Sequence, residues 1–179
     1  MVISKKFEKA INKQIHLEWV AQYNFLAMSA WLETTPFKGF AKWMLMRSMR
    51  EQKHAIQLFE YLRNRYGTLE LPAIEEPEKT YKSPVDVFEK ALEQKRVVSD
   101  ATKALYAMAV KEKDMETLEL LHPFLNEQVA EEKHMQDILD KIVLADNQAD
   151  ALIHLDYKEE LSYAGAHLVY IHLIQKNKS

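Results

Sequence analysis

Cysteine is absent from this chain of 179 residues, and glycine and proline are scarce, with three and five copies. Without cysteine there is no disulfide, no thiolate-bound zinc and no thiol nucleophile, so any bound metal must be held by nitrogen and oxygen ligands. So few glycine and proline residues favour long, uninterrupted helices. The formal net charge of -3 comes without a basic block, which argues against a nucleic-acid partner.

Long hydrophobic runs are also missing. No apolar stretch approaches the ~18 residues that a transmembrane helix needs, and residues 1–6 lack the apolar core of a signal peptide. We therefore expect a cytoplasmic protein without a membrane partner. The length and the hydrophobic content of 47% suit one domain with a substantial core, so we expect a single domain over residues 1–179.

Apolar residues recur at helical spacing over four long segments, which predicts an all-α fold. The expected helices cover about 4–33, 36–66, 84–111 and 114–144, and a shorter fifth helix is expected near 149–163. The bundle thus spans about 4–144, and the fifth helix and tail about 147–179. Thr35 before Pro36 is the expected N-cap of the second helix, and Gly67 its expected C-cap.

The segment 67–83 has no helical period and separates the second helix from the third. Fully extended, it reaches roughly 55 Å at ~3.3 Å per residue, whereas a 28-residue helix is ~42 Å long. The linker can therefore cross the length of a bundle, which makes the second and third helices parallel. The apolar residues 164–174 lie beyond the bundle, and we expect them to pack in a subunit interface or in the interior of an assembly. A poorly ordered tail is the alternative.

One pattern of acids and histidines occurs twice. Each half of the chain offers a lone carboxylate and then a Glu-x-x-His pair: Glu18 with Glu51 and His54, and Glu93 with Glu131 and His134. Residues three apart share a helix face, so each pair directs a carboxylate and an imidazole the same way. Counted from the short turns, all four acids reach the middle of the bundle. Four carboxylates and two imidazoles from four helices are typical of di-iron and di-manganese bundles.

Acids and histidines at this spacing also have interpretations other than a redox metal site. Glu119 and His122 form a third Glu-x-x-His, but they lie close to a turn and are interpreted as a surface pair. The repeated acids lie in apolar stripes, where an unpaired carboxylate is costly. The stripe around Glu93 is less regular because it contains Arg96, and a buried Glu-His-Arg network without metal is the alternative. Carboxylate and imidazole ligands favour iron or manganese; zinc would bind without redox chemistry, and magnesium or calcium would not require histidine.

The chain resembles the prokaryotic non-haem ferritins over most of its first 163 residues. The resemblance rests on the fifth helix and on the segments Ile15–Glu18, Phe37–Met44, Glu51–His54, Glu93 and Asn126–Glu131. It implies a ferritin-like four-helix bundle, with one long crossover, that assembles into a hollow homo-oligomer of 24 subunits. It also implies a ferroxidase centre that binds two Fe(II), reduces O2 or H2O2, and passes Fe(III) to a mineral core.

The resemblance also implies a ligand set. Glu18, Glu51 and His54 would hold one iron, while Glu51, Glu93 and Glu131 would hold the other, with Gln128 nearby. His134 departs from the non-haem pattern and resembles the symmetric centre of bacterioferritins and rubrerythrins, where both irons have an imidazole. We therefore include it as a candidate ligand.

Other departures limit the resemblance. The methionine that binds haem in bacterioferritins is Gln52 here, so no haem is expected, and the cysteine-rich domain of rubrerythrins is excluded. Phe25 stands where these families have a tyrosine near the iron pair. The third iron site of prokaryotic ferritins is expected to be absent, since its three positions are Arg50, Glu127 and Ala130. Pro123 is expected to kink the fourth helix.

The sequence thus predicts an iron-oxidising storage protein with two Fe ions per subunit, manganese being possible in their place. One alternative is a rubrerythrin-like di-metal peroxidase or oxidase without mineral storage. The other is a structural cage subunit in which His134 and Arg96 pair with the acids and exclude metal. The amount of iron stored per subunit distinguishes the storage protein from the di-metal enzyme. The presence of bound metal distinguishes both from the structural subunit.

Overall fold

The computed structural model describes residues 3–146 and 148–159. Four long helices form the bundle: α1 is Lys5–Leu32, α2 is Lys38–Asn64, α3 is Pro84–Glu112 and α4 is Met115–Leu144. Residues 149–159 form a fifth helix, α5, and the described residues contain no strand. The predicted all-α bundle is therefore confirmed, with helix ends within two residues of those expected. The predictions for 160–163 and for the apolar segment 164–174 lie outside the described residues.

The two short turns make antiparallel pairs. At one end of α1 the backbone N–H of Ile3 donates to the carbonyl of Arg65, and at the other the Ser29 hydroxyl donates to the carbonyl of Ala41. The α3–α4 pair is antiparallel too, because Lys95 contacts Glu131 whereas Thr102, later in α3, contacts Gln128, earlier in α4. α2 and α3 run parallel, because Trp43 packs against Phe88 and, further along both helices, Glu51 contacts Lys95.

The linker follows α1 along the bundle. Near its start, the Asn12 side chain donates to the carbonyl of Thr68 at 2.8 Å and accepts from the backbone N–H of Glu70 at 2.8 Å. Near its end, the rings of Trp31 and Tyr81 meet edge to face with centroids 5.4 Å apart. Asn12 and Trp31 are separated by about 28 Å of helix at 1.5 Å per residue. The predicted long crossover is confirmed.

The start of α2 is capped from another helix. The Asp156 carboxylate of α5 accepts from the backbone N–H of Gly39 at 3.0 Å and of Phe40 at 2.7 Å. Thr35 is not the N-cap that we expected, because its hydroxyl accepts from the N–H of Phe37, before the helix begins. A Cβ atom on Gly39 would lie 1.9 Å from the carbonyl oxygen of Asp156, so glycine is required for α5 to approach this closely.

The end of α2 also differs from the expectation. Tyr66, with φ of 57°, adopts the left-handed conformation that we expected at Gly67. Gly67 is required there because it lies close to Leu62. Its N–H donates to the carbonyl of Leu62 at 2.9 Å, and a Cβ atom on it would lie 2.3 Å from a Leu62 methyl carbon. α4 continues through Pro123 as one helix.

Asp114 links the ends of α2 and α4. Its carboxylate caps α4 by accepting from the N–H of Thr117 and forms a two-point ion pair with Arg65 at 3.1 and 3.2 Å. We expect Asp114→Ala to lower the free energy of unfolding by about 1–2 kcal/mol, since it removes the cap. Asp114→Asn keeps a capping oxygen and should lose clearly less. Urea unfolding of both variants measures this, and equal losses would contradict the capping role.

Candidate metal centre

A buried polar layer separates two apolar clusters of the core. One cluster packs around Phe25, Met44 and Phe88, and the other around Ile15 and Leu58. All four bundle helices contribute to the layer between them; its fully or almost fully buried members are Gln14, Glu18, Glu51, His54, Lys95, Thr102, Gln128 and Glu131. Burying so many polar side chains is favourable only if they are paired with one another or with a ligand.

Glu18, Glu51 and His54 converge within this layer. Each offers one ligand atom, and these atoms all lie within 4.8 Å of one another. His54 Nδ1 lies 3.4 Å from Glu51 Oε2 and 3.7 Å from Glu18 Oε2, distances too long for good hydrogen bonds. None of these three buried atoms has a hydrogen-bond partner among the described residues. A buried polar atom without a partner costs about 1–3 kcal/mol, which a cation bound between the three would recover.

The outward atoms of the same side chains are held in place. Gln14 Nε2 donates to Glu18 Oε1 at 2.8 Å and also lies 2.9 Å from the Thr102 hydroxyl. His54 Nε2 lies 3.0 Å from Glu127 Oε2. When Nε2 carries a proton for Glu127, Nδ1 is the nitrogen left for a metal, which is the usual carboxylate–histidine–metal arrangement.

The cluster competes for protons as well as for metal. Burial, with the neighbouring Glu51 charge, raises the pKa of Glu18 to about 7. Burial would lower the pKa of His54, but Glu127, Glu18 and Glu51 around it raise that pKa to about 11. Without metal, the imidazole is therefore a cation among carboxylates. A metal at Nδ1 displaces one proton, so its binding releases protons.

Lys95 of α3 occupies the other side of the layer. Its Nζ lies 2.7 Å from Glu51 Oε1 and 2.6 Å from Glu131 Oε2, and the side chain is completely buried. Burial alone would lower the pKa of Lys95, but the charges of Glu51 and Glu131 raise it above its usual range. For the Glu51 carboxyl, burial would raise the pKa, but the Lys95 ammonium and His54 hold that pKa well below its usual range.

Glu131 is held by arginines as well. Its Oε1 accepts from Arg47 at 3.0 Å and from Arg50 at 2.8 Å. The carboxylate that we expected to bind the second iron is therefore paired with three cationic side chains. Gln128 lies beside it, with its Nε2 donating to the Thr102 hydroxyl at 2.9 Å.

Two predicted ligands lie outside the buried polar layer altogether and need correction. Glu93 is exposed and lines a surface groove between α1 and the linker with Asn24. It precedes Lys95 by two residues, about 200° around the helix, so the two side chains leave α3 on opposite faces. His134 is partly exposed; its ring packs edge to face on Trp43, and its Nε2 lies 3.6 Å from Glu159.

The charge network around the buried acids also differs from the Glu-His-Arg alternative. Arg96 is exposed and donates to Gln136, so it does not pair with the buried acids. Arg47, Arg50 and Lys95 take that role, and none of them was predicted. A signal for Lys95 was available, because it lies at the centre of the buried stripe of α3 that Leu92, Val98 and Thr102 complete.

Glu127 is expected to position His54. We expect Glu127→Ala to weaken metal binding at the cluster by about 10–100-fold, the usual effect of losing the partner of a histidine ligand. Calorimetric titration with Co(II) in the absence of oxygen measures this. Glu119→Ala, an exposed acid of the same helix, is the matched control and should bind as the unmodified chain does. Equal affinities in the two variants would show that Glu127 does not contribute to metal binding.

Fold and site together define a four-helix bundle of the ferritin type, with one long crossover and a buried carboxylate–histidine centre. The sequence profile described as Ferritin-like domain matches residues 8–145. The chain therefore belongs to the ferritin family, as the sequence motifs predicted.

Similar proteins agree with this assignment. The chain is 38% identical to a protein named bacterial non-heme ferritin from Bacteroides fragilis (strain 638R), over 79% of this chain and 89% of that protein. It is 30% identical to a bacterial non-heme ferritin from Campylobacter jejuni, over 87% and 93% of the two chains. The open pore ferritin from Archaeoglobus fulgidus superposes with a TM-score of 0.85 at 34% identity, covering 89% of this chain and 98% of that one. No helix within residues 3–146 and 148–159 is long and apolar enough to cross a membrane.

Proposed function

We propose that this chain is a subunit of an iron-storing cage that takes up Fe(II) at Glu18, Glu51 and His54 and oxidises it there. The observation that carries the proposal is the convergence of three buried ligand atoms, two carboxylate oxygens and one imidazole nitrogen, that have no other partner in the described part of the chain. The names of the similar proteins support iron as the metal.

The donor set suits Fe(II) as the substrate. Two carboxylates and one imidazole are ligands that Fe(II) and Mn(II) both accept, so manganese remains a candidate, and the site offers nothing that calls for haem. Oxidation removes one electron from each Fe(II). Two Fe(II), oxidised at the site one after the other, reduce O2 to H2O2 with two protons, or reduce H2O2 to two water molecules with two protons. The Fe(III) then reacts with water, releases protons and joins the mineral.

The side chains around the site orient the iron ligands and exclude bulk water from them. Gln14 and Glu127 hold the outward atoms of Glu18 and His54, so the inward atoms are oriented before iron arrives. The apolar clusters on both sides keep the layer from bulk water. In such a water-poor site the carboxylate charges bind a cation more strongly than they would at the surface.

Assembly and location are part of the proposal. The 24-subunit homo-oligomer is proposed from the family resemblance, and the cytoplasmic location is proposed from the sequence. Mass measurement of the purified particle tests the first, and fractionation of the source cells tests the second.

One observation favours a second candidate, a structural cage subunit without metal. Lys95, Arg47 and Arg50 already compensate Glu51 and Glu131 with their own charges. The third candidate, a rubrerythrin-like di-metal peroxidase, has no comparable observation, since His134 does not reach the cluster.

Iron loading separates these candidates. The purified assembly is given Fe(II) without oxygen and then O2, and iron is counted per particle after gel filtration. We expect far more iron atoms than subunits, with slower uptake in His54→Ala than in the surface variant Glu119→Ala. A particle that retains no iron would contradict the proposal and favour the structural candidate. A particle that stops at its anaerobic binding capacity would exclude storage.

A further inference from the structure

We propose that Lys95 is a fixed cation in place of a second metal, so that each subunit binds one metal ion in its bundle and not two. The inference rests on the proposed function, because it specifies the capacity of the site at Glu18, Glu51 and His54. It departs from the pair of metals that four-helix bundles with this type of ligand set usually hold.

Glu51 shows where the second cation lies. Its Oε2 faces the cluster, 3.4 Å from His54 Nδ1, whereas its Oε1 lies 2.7 Å from Lys95 Nζ. The carboxylate thus bridges two cation positions in the way that a shared ligand bridges two metals. One position has three ligand atoms without a hydrogen-bond partner in residues 3–146 and 148–159, and an ammonium group occupies the other.

At the position of a second metal, both oxygens of Glu131 already contact cationic side chains. Its Oε2 is 2.6 Å from the same ammonium, and its Oε1 receives both Arg47 and Arg50. A second metal would need at least one of these oxygens and would lie next to three positive charges. The residues around this position therefore do not fit a metal ion.

Lys95 would also be costly to displace. The side chain is completely buried from a central position of α3, and its ammonium offers no lone pair to a metal. Displacing it would leave a charged group in the core without its partners. His54 differs, because an imidazole that loses its proton becomes a neutral metal ligand.

The test is metal stoichiometry in the assembled particle. Co(II) replaces iron because it is stable to oxidation under these conditions and can be followed by its spectrum. Anaerobic calorimetric titration should give one tight site per subunit in the unmodified chain. Lys95→Glu, which replaces the ammonium with a fourth carboxylate, should give two, with the magnetic coupling of a bridged pair in its electron paramagnetic resonance spectrum.

Two further variants make the result decisive. Lys95→Gln removes the charge with a side chain of similar length and should admit a second, weaker ion even if Lys95→Glu folds poorly. Lys103→Glu makes the same charge change at an exposed position of α3 and should keep one site.

The outcomes distinguish this inference from the proposed function. Two tight sites in the unmodified chain would overturn the one-metal claim and leave the iron site standing. One site in the unmodified chain and also in Lys95→Glu and Lys95→Gln would show that Lys95 is not what excludes the second metal. No bound Co(II) in the unmodified chain would overturn the proposed site itself.

Discussion

Lys95→Met is expected to lower the free energy of unfolding by about 3–5 kcal/mol, since it removes one partner from a buried ion-pair network. The substitution leaves Glu51 Oε1 and Glu131 Oε2 buried without the ammonium that lies 2.7 and 2.6 Å from them. Arg47 and Arg50 still contact the other oxygen of Glu131, so most of the loss should come from Glu51. Thermal unfolding of the metal-free assembly should show a Tm lowered by about 10 °C for a chain of this size.

Two comparisons separate this loss from a general effect of the substitution. Lys103→Met removes an exposed lysine of the same helix and should change stability by no more than about 0.5 kcal/mol. Lys95→Met combined with Glu51→Gln removes charges of both signs and should recover part of the loss, because the two residues are in contact. If Lys95→Met were as stable as the unmodified chain, the ammonium would not be the partner of the buried acids.

The second large effect concerns metal affinity. Glu51→Gln should weaken Co(II) binding by about 100-fold or more, since even the outer partners of metal ligands cost 10–100-fold. Glu51 supplies one of the three converging atoms. Glu131→Gln is the matched comparison, because that carboxylate is paired with Lys95, Arg47 and Arg50 and lies outside the three-residue cluster. It should keep one bound Co(II) per subunit.

This pair of variants distinguishes a one-metal from a two-metal centre. In a two-metal centre Glu51 and Glu131 would both be metal ligands, and both substitutions would abolish paired binding. Calorimetric titration of both variants in the same buffer is therefore sufficient. An equal loss of affinity in the two would contradict the assignment of Glu131 as a partner of cationic side chains.

The helices and the crossover were predictable because they follow from local patterns. Apolar residues at helical spacing define α1 to α4, and segment 67–83 is long enough to cross the bundle. Glu18, Glu51 and His54 were predictable for a similar reason. Their distances from the turn between α1 and α2 place them at the same height along the bundle axis. On each helix they share one face with apolar residues.

The error on α3 came from giving the position of Glu93 along the bundle axis more weight than its irregular apolar face. Glu93 lies at an acceptable height in the bundle, but two residues of helix turn it about 200° from Lys95. The buried residues Leu92, Val98 and Thr102 identify the inward face, and Lys95 belongs to it. A lysine in an apolar stripe is unusual, and only the partners on α2 and α4 explain it.

The position of the His134 ring could not be predicted, because it depends on contacts with residues that are distant in the sequence. Its spacing from Glu131 is correct for a shared face, but Trp43 of α2 and Glu159 of α5 contact its ring. The N-terminus of α2 shows the same limit, because its cap, Asp156, comes from more than a hundred residues away along the chain.

The most direct measurement is an anomalous-scattering map from crystals of the assembled protein soaked in Co(II) without oxygen. One peak per subunit, bound by Glu18, Glu51 and His54 Nδ1 with Lys95 Nζ still between Glu51 and Glu131, is the predicted result. Two peaks about 3.5–4 Å apart, the usual separation in two-metal sites, with Lys95 turned away, would contradict the one-metal centre. A map without any peak in the bundle would contradict the metal site altogether.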